Sequence, residues 1–369
     1  MTRVNRYDFP AQFPDIDGGL LPAIRELLLR GDYVLGEAVS RFEQELSDYL
    51  GTGHVVGVNS GTDALMLALH ALGTGPGDEV ILPANTFHAG PLAVARLGAV
   101  PVLTDCHPDT FLMDLDQAAA RITERTRALM PVHLYGQAMD MDAVCALAAR
   151  HRLRVVEDGA QAIGARWRGA RVGTLGDAGC WSFTPAKNLA AAGDGGAISV
   201  GDPALAEELR LLRHFGQPRQ NEHDLLGWNS RLDTLQALVL SHKLPRLDAW
   251  NQRRAELAAA YAEGLEGLPV TFQQGAEPGG HVFHLLPVRV RRRDQLLVRL
   301  REAGIDAVVR YPHPVHLQKG FAQLGHGPGD FPVAEALARD TLCLPLHPTL
   351  DPRHVTYVCT QVRRFFTEE

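Results

Sequence analysis

Short apolar runs alternate with amphipathic stretches from about residue 54 onward. HVVGV (54–58) leads into TDALMLALHAL (62–72), EVILP (79–83) into HAGPLAVARLGA (88–99), and VPVLTD (100–105) into LDQAAARI (115–122). ALMPVH (128–133) is followed by MDAVCALAARHR (141–152), and LRVVED (153–158) closes the series. Buried strands separated by helices of this length predict βαβ units and a mostly parallel sheet with helices on its faces. After GGAISV (195–200) the alternation loosens. Residues 205–213 and 232–265 read as helices, HVFHLLPVRV (281–290) as a strand, RDQLLVRLREAG (293–304) as a helix ending on glycine, and AVVRYPHPVH (307–316) as a strand entering a loop. The pattern predicts a large α/β domain over 1–250 and a smaller C-terminal α+β domain over 251–369, packed without a flexible linker.

In a parallel sheet, ligands bind beyond the carboxyl ends of the strands, so residues just after each apolar run carry the chemistry. SGT (60–62) stands between a strand and a helix. Small residues there allow close backbone approach, and a helix amino terminus offers free N–H groups to a phosphate. Ser60 or Thr62 acting only as an ordinary helix cap is the simpler alternative. The glycine-rich GTGPGDE (73–79) joins a helix to a strand, the wrong order for a phosphate loop, and reads as a turn. Asp158 closes LRVVED, where it either caps the next turn or holds a cationic ring nitrogen, with Gln161 three residues on. Phe87 follows EVILP, as core or as a stacking plate. Lys187 stands between the strand-like GCWSF and the hairpin-like GDGG, with Ser182 just before it. A lysine whose ammonium is desolvated there suits Schiff-base chemistry, whereas its residue type alone would place it on the surface. Taken together, a phosphate cradle, an aromatic plate, a carboxylate and a lysine at successive strand ends match the needs of pyridoxal 5′-phosphate (PLP).

The formal charge of −7 argues against a broad nucleic-acid or anionic-membrane footprint. No apolar run is long enough to span a bilayer, and the opening residues lack a signal-peptide h-region, so a soluble cytoplasmic protein is expected. The cysteines Cys106, Cys145, Cys180, Cys343 and Cys359 are scattered without metal-type spacing and read as reduced thiols. No strand–GxGxxG–helix fingerprint supports a nicotinamide enzyme.

The blocks GDYVLGEAVSRFEQEL (31–46), VNSGTDALMLAL (58–69), PGDEVILPANTF (76–87), PVHLYGQ (131–137), VVEDGAQAIGA (155–165), SFTPAKNL (182–189), GDGGA (193–197), NSRLDTLQA (229–237) and YPHPVH (311–316) occur in one order along the chain. In these blocks the sequence resembles the DegT-type sugar aminotransferases, within PLP-transferase fold type I. The resemblance implies that Lys187 bonds the cofactor aldehyde, Asp158 pairs with the pyridinium nitrogen, Gln161 lies near O3′ and Phe87 stacks on the ring. It assigns Gly61, Thr62, Asp63 and Ser182 to the phosphate, and Asn229 to the phosphate of the partner subunit in an obligate homodimer. It further implies ping-pong transfer from L-glutamate to a nucleotide-linked keto sugar, a dTDP-3-keto-6-deoxyhexose being the leading expectation. A 4-keto sugar or a cyclitol ketone is the alternative within the same chemistry, and a PLP-binding regulatory protein without turnover the alternative outside it. Dehydratase relatives carry histidine at the lysine position; this chain has Lys187. It departs from the family pattern at Thr184, where an aromatic or histidine is common, at Ala190 and Ala192, where glycine and a large aromatic are common, and at Asn221, near a position often occupied by tyrosine. Thr184, His313 and His316 are candidate substrate contacts, and no metal site is expected.

Overall fold

The computed structural model describes residues 2–367. Its central sheet runs β1 (His54–Val58), β9 (Gly196–Val200), β8 (Ala178–Ser182), β5 (Arg154–Asp158), β4 (Thr126–Leu129), β2 (Glu79–Pro83) and β3 (Val100–Thr104). Neighbours from β8 to β3 pair in parallel, and only β9 runs against the rest. The expected mostly parallel seven-stranded sheet is therefore present. Strands β2 and β9 are buried along their whole length, which is why they read as unbroken apolar runs.

Helices α1 (Leu21–Arg30) and α2 (Glu37–Leu50) precede the sheet; α3 (Gly61–Ala71), α4 (Ala89–Arg96), α5 (Leu115–Ala120) and α6 (Met141–His151) connect its strands, and α7 (Pro203–Leu212) follows its last strand in the chain, β9. A short hairpin of β6 (Arg166–Trp167) and β7 (Ala170–Arg171) lies beside it. Most of α3 is apolar and buried, because it lies across β8 and β9 with other helices over it. The predicted helix over 232–265 is two helices, α8 (Thr234–Lys243) and α9 (Leu247–Gly264). A 3₁₀ turn containing Pro245 separates them, since proline cannot continue the α-helical hydrogen bonding.

The remaining elements are a three-stranded antiparallel sheet of β10 (Val270–Phe272), β11 (Leu286–Val290) and β12 (Thr341–Leu344), with α10 (Arg293–Glu302), α11 (Pro332–Asp340) and α12 (Pro352–Thr367). AVVRYPHPVH is not a strand: it makes one bridge, Val308 to Cys343, and then runs as a loop over the main sheet. Two apolar clusters form the core. The larger covers the seven-stranded sheet and also takes Val315, Phe321, Phe331 and Leu337 from late in the chain. The smaller joins α9, α10, α12 and the three-stranded sheet, and it includes Val4 from the amino terminus. Among the described residues no helix is long and apolar enough to cross a membrane.

Candidate active site

The amino end of α3 is built by Ser60, whose extended backbone (φ −158°) starts the helix and whose Oγ accepts the Asp63 N–H at 3.1 Å. The Ala64 N–H goes to the Ser60 carbonyl. The N–H groups of Gly61 and Thr62 are left without a partner among the described residues, at the positive end of the helix dipole. Gly61 is required by close packing: a Cβ there would stand 2.6 Å from the Ser182 Cβ at the end of β8. The cap and the cradle are thus one structure.

Asp158, at the carboxyl end of β5, is 8% exposed. One carboxylate oxygen accepts the Ala160 N–H at 3.1 Å, and the other has no donor among the described residues. Burial pushes its pKa up, against the opposing pull of the Ala160 N–H, Lys187 and His133. Lys187 lies in the loop between β8 and β9, which is tied down by Ala191 N–H to the Phe183 carbonyl and by Lys243 Nζ to the Ala190 carbonyl at 2.8 Å. Its side chain keeps some surface open to the cavity. Burial nevertheless lowers its ammonium to about 8; Asp158 opposes the shift and Arg310 reinforces it.

Gly61, Thr62, Phe87, Asp158, Gln161, Ser182, Thr184 and Lys187 all line one cavity of about 350 Å³. The Gln161 side chain is pinned between the Tyr135 N–H (2.7 Å) and the Tyr311 hydroxyl (3.1 Å). Phe87 is 44% exposed, its ring tilted 5.7 Å from that of Tyr311, as a plate at a cavity wall and not a core residue.

Four predicted site residues lie elsewhere. Asp63 does not face the cavity: its N–H is taken by Ser60 and its carboxylate accepts the Ser230 hydroxyl at 2.6 Å. Asn229 is exposed and bridges His214, away from the cavity of its own chain. His313 is exposed and does not line the cavity. His316 is buried, with Nε2 3.1 Å from Glu335 and its ring against Phe331, so it fastens a loop to α11. Of the departures from the family pattern, only Thr184 borders the cavity; Ala190, Ala192 and Asn221 do not.

The cavity also contains residues that sequence reasoning missed: Tyr7, Asp194, His284, Arg310 and Tyr311. Arg310 precedes and Tyr311 opens the YPHPVH block, and His284 sits inside a strand-like apolar run. No local signal marks Arg310, Tyr311 and His284, because the chain after β9 adds no strand to the main sheet and reaches it only through tertiary packing. The guanidinium of Arg310 has no hydrogen bond or ion pair among the described residues.

A lysine sharing one cavity with a buried carboxylate that keeps a donor-free oxygen, beside a helix end with two free N–H groups, fits PLP: aldehyde, pyridinium nitrogen and phosphate would each have a partner in this cavity. With the seven-stranded sheet, this defines a PLP-dependent aminotransferase of fold type I. Residues 14–363 match the model of the DegT/DnrJ/EryC1/StrS aminotransferase family, and the chain belongs to that family. It is 47% identical over 364 residues to the dTDP-3-amino-3,4,6-trideoxy-alpha-D-glucose transaminase of Streptomyces venezuelae, covering 98% of this chain and 96% of that one. It is 43% identical over 362 residues to a pleiotropic regulatory protein of Geobacillus stearothermophilus, covering 97% of each. The crystal structure of S. venezuelae DesV in complex with a ketimine intermediate superposes with a TM-score of 0.96 at 46% identity, over 100% of this chain and 99% of that one.

Proposed function

We propose that this enzyme moves the amino group of L-glutamate onto the ketone of a nucleotide-linked sugar, with a dTDP-3-keto-6-deoxyhexose as the leading acceptor. The observation that carries the chemistry is the meeting of Lys187 and Asp158 in one cavity with the α3 cradle. The acceptor is supported by the similarity to the Streptomyces transaminase over nearly the whole chain. Bound PLP supplies an electron sink for the carbon that loses its proton. Asp158 keeps a proton on the ring nitrogen, a cation for which its donor-free oxygen is suited. Lys187 takes and returns a proton at Nζ; a value of about 8 lets it do both near neutral pH. Gly61, Thr62 and Ser182 would hold the phosphate, with Phe87 and Gln161 available to the ring from the same cavity lining. The unpaired Arg310 cation suits a dicarboxylate donor.

A homodimer with shared sites is part of this reading. Its support is an apolar face around α1, where Leu29 is 72% exposed, and a loop carrying Leu226 at 95%. The five free thiols support a reducing, cytoplasmic setting.

The test uses ¹⁵N-labelled L-glutamate and a panel of nucleotide-linked keto sugars. The purified holoenzyme should convert its cofactor to the amine form with glutamate alone, then pass ¹⁵N to one sugar and regain the aldehyde form. A protein that holds PLP but shows no conversion with glutamate would be a regulator and not an enzyme.

A further inference from the structure

His284 lines the cavity just before β11 and is 6% exposed, yet it has no part in the cradle or the ring-nitrogen contact. A chain of hydrogen bonds settles which of its ring nitrogens carries the proton. The Ile163 carbonyl can only accept, so the Asn251 amide nitrogen faces it at 3.0 Å, and the Asn251 oxygen is turned toward Asn188. The Asn188 amide nitrogen donates to that oxygen at 2.8 Å and to the Val282 carbonyl at 3.0 Å. The Asn188 oxygen is thereby left facing His284 Nδ1 at 3.3 Å, and an amide oxygen has no proton to give. Nδ1 must carry the hydrogen. Burial, with the charges of Lys187, Arg254 and Arg310 and with His281, holds the ring far below the ordinary imidazole pKa, so it stays neutral. Nε2 is then a bare lone pair, with no partner among the described residues.

We propose that His284 Nε2 is a substrate contact that accepts a hydrogen bond from a hydroxyl of the sugar acceptor, next to the ketone. This rests on the nucleotide-sugar reading above. A lone pair repels a carboxylate or phosphate and cannot pair with a ketone oxygen; it takes a donor hydrogen, which the hydroxyls of a sugar supply. Arg310, a donor-only group in the same cavity, offers the opposite polarity. Asn188 follows Lys187 in the chain, so the loop that aims the lysine also fixes the histidine tautomer.

The experiment compares a nucleotide-linked keto sugar with its counterpart lacking the hydroxyl beside the ketone, in wild type, His284→Phe and His284→Gln. Wild type should favour the hydroxylated acceptor by about tenfold or more in kcat/KM. His284→Phe should lose that preference while the glutamate half-reaction stays within about twofold, and His284→Gln, which keeps an acceptor, should retain part of it. ¹⁵N NMR of histidine-labelled wild type should show a neutral ring protonated at Nδ1, a readout that stands even if the phenylalanine variant does not fold. No preference in wild type, full preference in His284→Phe, an equal loss in the glutamate half-reaction, or a proton on Nε2 would each overturn the proposal. Failure of wild-type holoenzyme to react with glutamate at all is a separate result and would strike the aminotransferase reading instead.

Discussion

Lys187 and Asp158 are shifted in opposite directions by one cause. Burial disfavours charge on both, lowering the amine to about 8 and raising the acid, while each partly restores the charge of the other. The sign for stability follows from linkage. Below about pH 8 the folded chain must hold a charged Lys187 that an unfolded chain would solvate; between about 8 and the ordinary value of 10.5 that penalty is relieved. For chemistry, the neutral amine is the form that attacks an aldehyde. Covalent capture of PLP by cofactor-free enzyme should therefore speed up with pH along a curve centred near 8. In Asp158→Asn the centre should move lower, because the carboxylate that supports the ammonium is gone. Stopped-flow rates across pH check both; a centre near 10.5 in wild type contradicts the burial argument. These two residues are legible in the sequence because each lies in a local block, Asp158 closing β5 and Lys187 in the loop that follows β8. Asp63, His313 and His316 lie outside the cavity lining. Ser230, Glu335 and Phe331 decide where Asp63 and His316 point, and they lie far from them in sequence or on another element.

The element that organises the phosphate end is α3. Its amino terminus serves two ends at once: Ser60 satisfies the third N–H, and the first two stay free for an anion. Ser60→Ala should cost about 1 kcal/mol of stability by loss of the cap. It should also weaken PLP retention, since the freed Asp63 N–H loosens the first turn. Equilibrium unfolding and cofactor dialysis measure the two; unchanged retention with lost stability would separate cap from cradle. The strands and helices around this site are legible because each carries its own period. The elements β10 and β12 are too short to show one and exist by pairing with β11. The break between α8 and α9 hides in a continuous helical composition, marked only by Pro245.

Across the whole molecule, the two clusters interleave in sequence: Val4 belongs to the smaller core, and Phe331 and Leu337 to the larger. This return of the late chain over the main sheet brings Arg310, Tyr311 and His284 to the cavity, and no local pattern announces it. A shared-site dimer predicts that mixing Lys187→Ala with Asn229→Ala chains restores one intact site per heterodimer, raising activity above either variant alone. Activity no higher than the sum of the separate variants would contradict sharing. The central claim, that Lys187 holds the cofactor, is tested most directly by borohydride reduction of the holoenzyme, followed by digestion and mass spectrometry. The phosphopyridoxyl group should be found on the peptide at Lys187 and be absent from Lys187→Ala. Its appearance on Lys243, the other buried lysine held near 8, or on no lysine at all, would contradict the account.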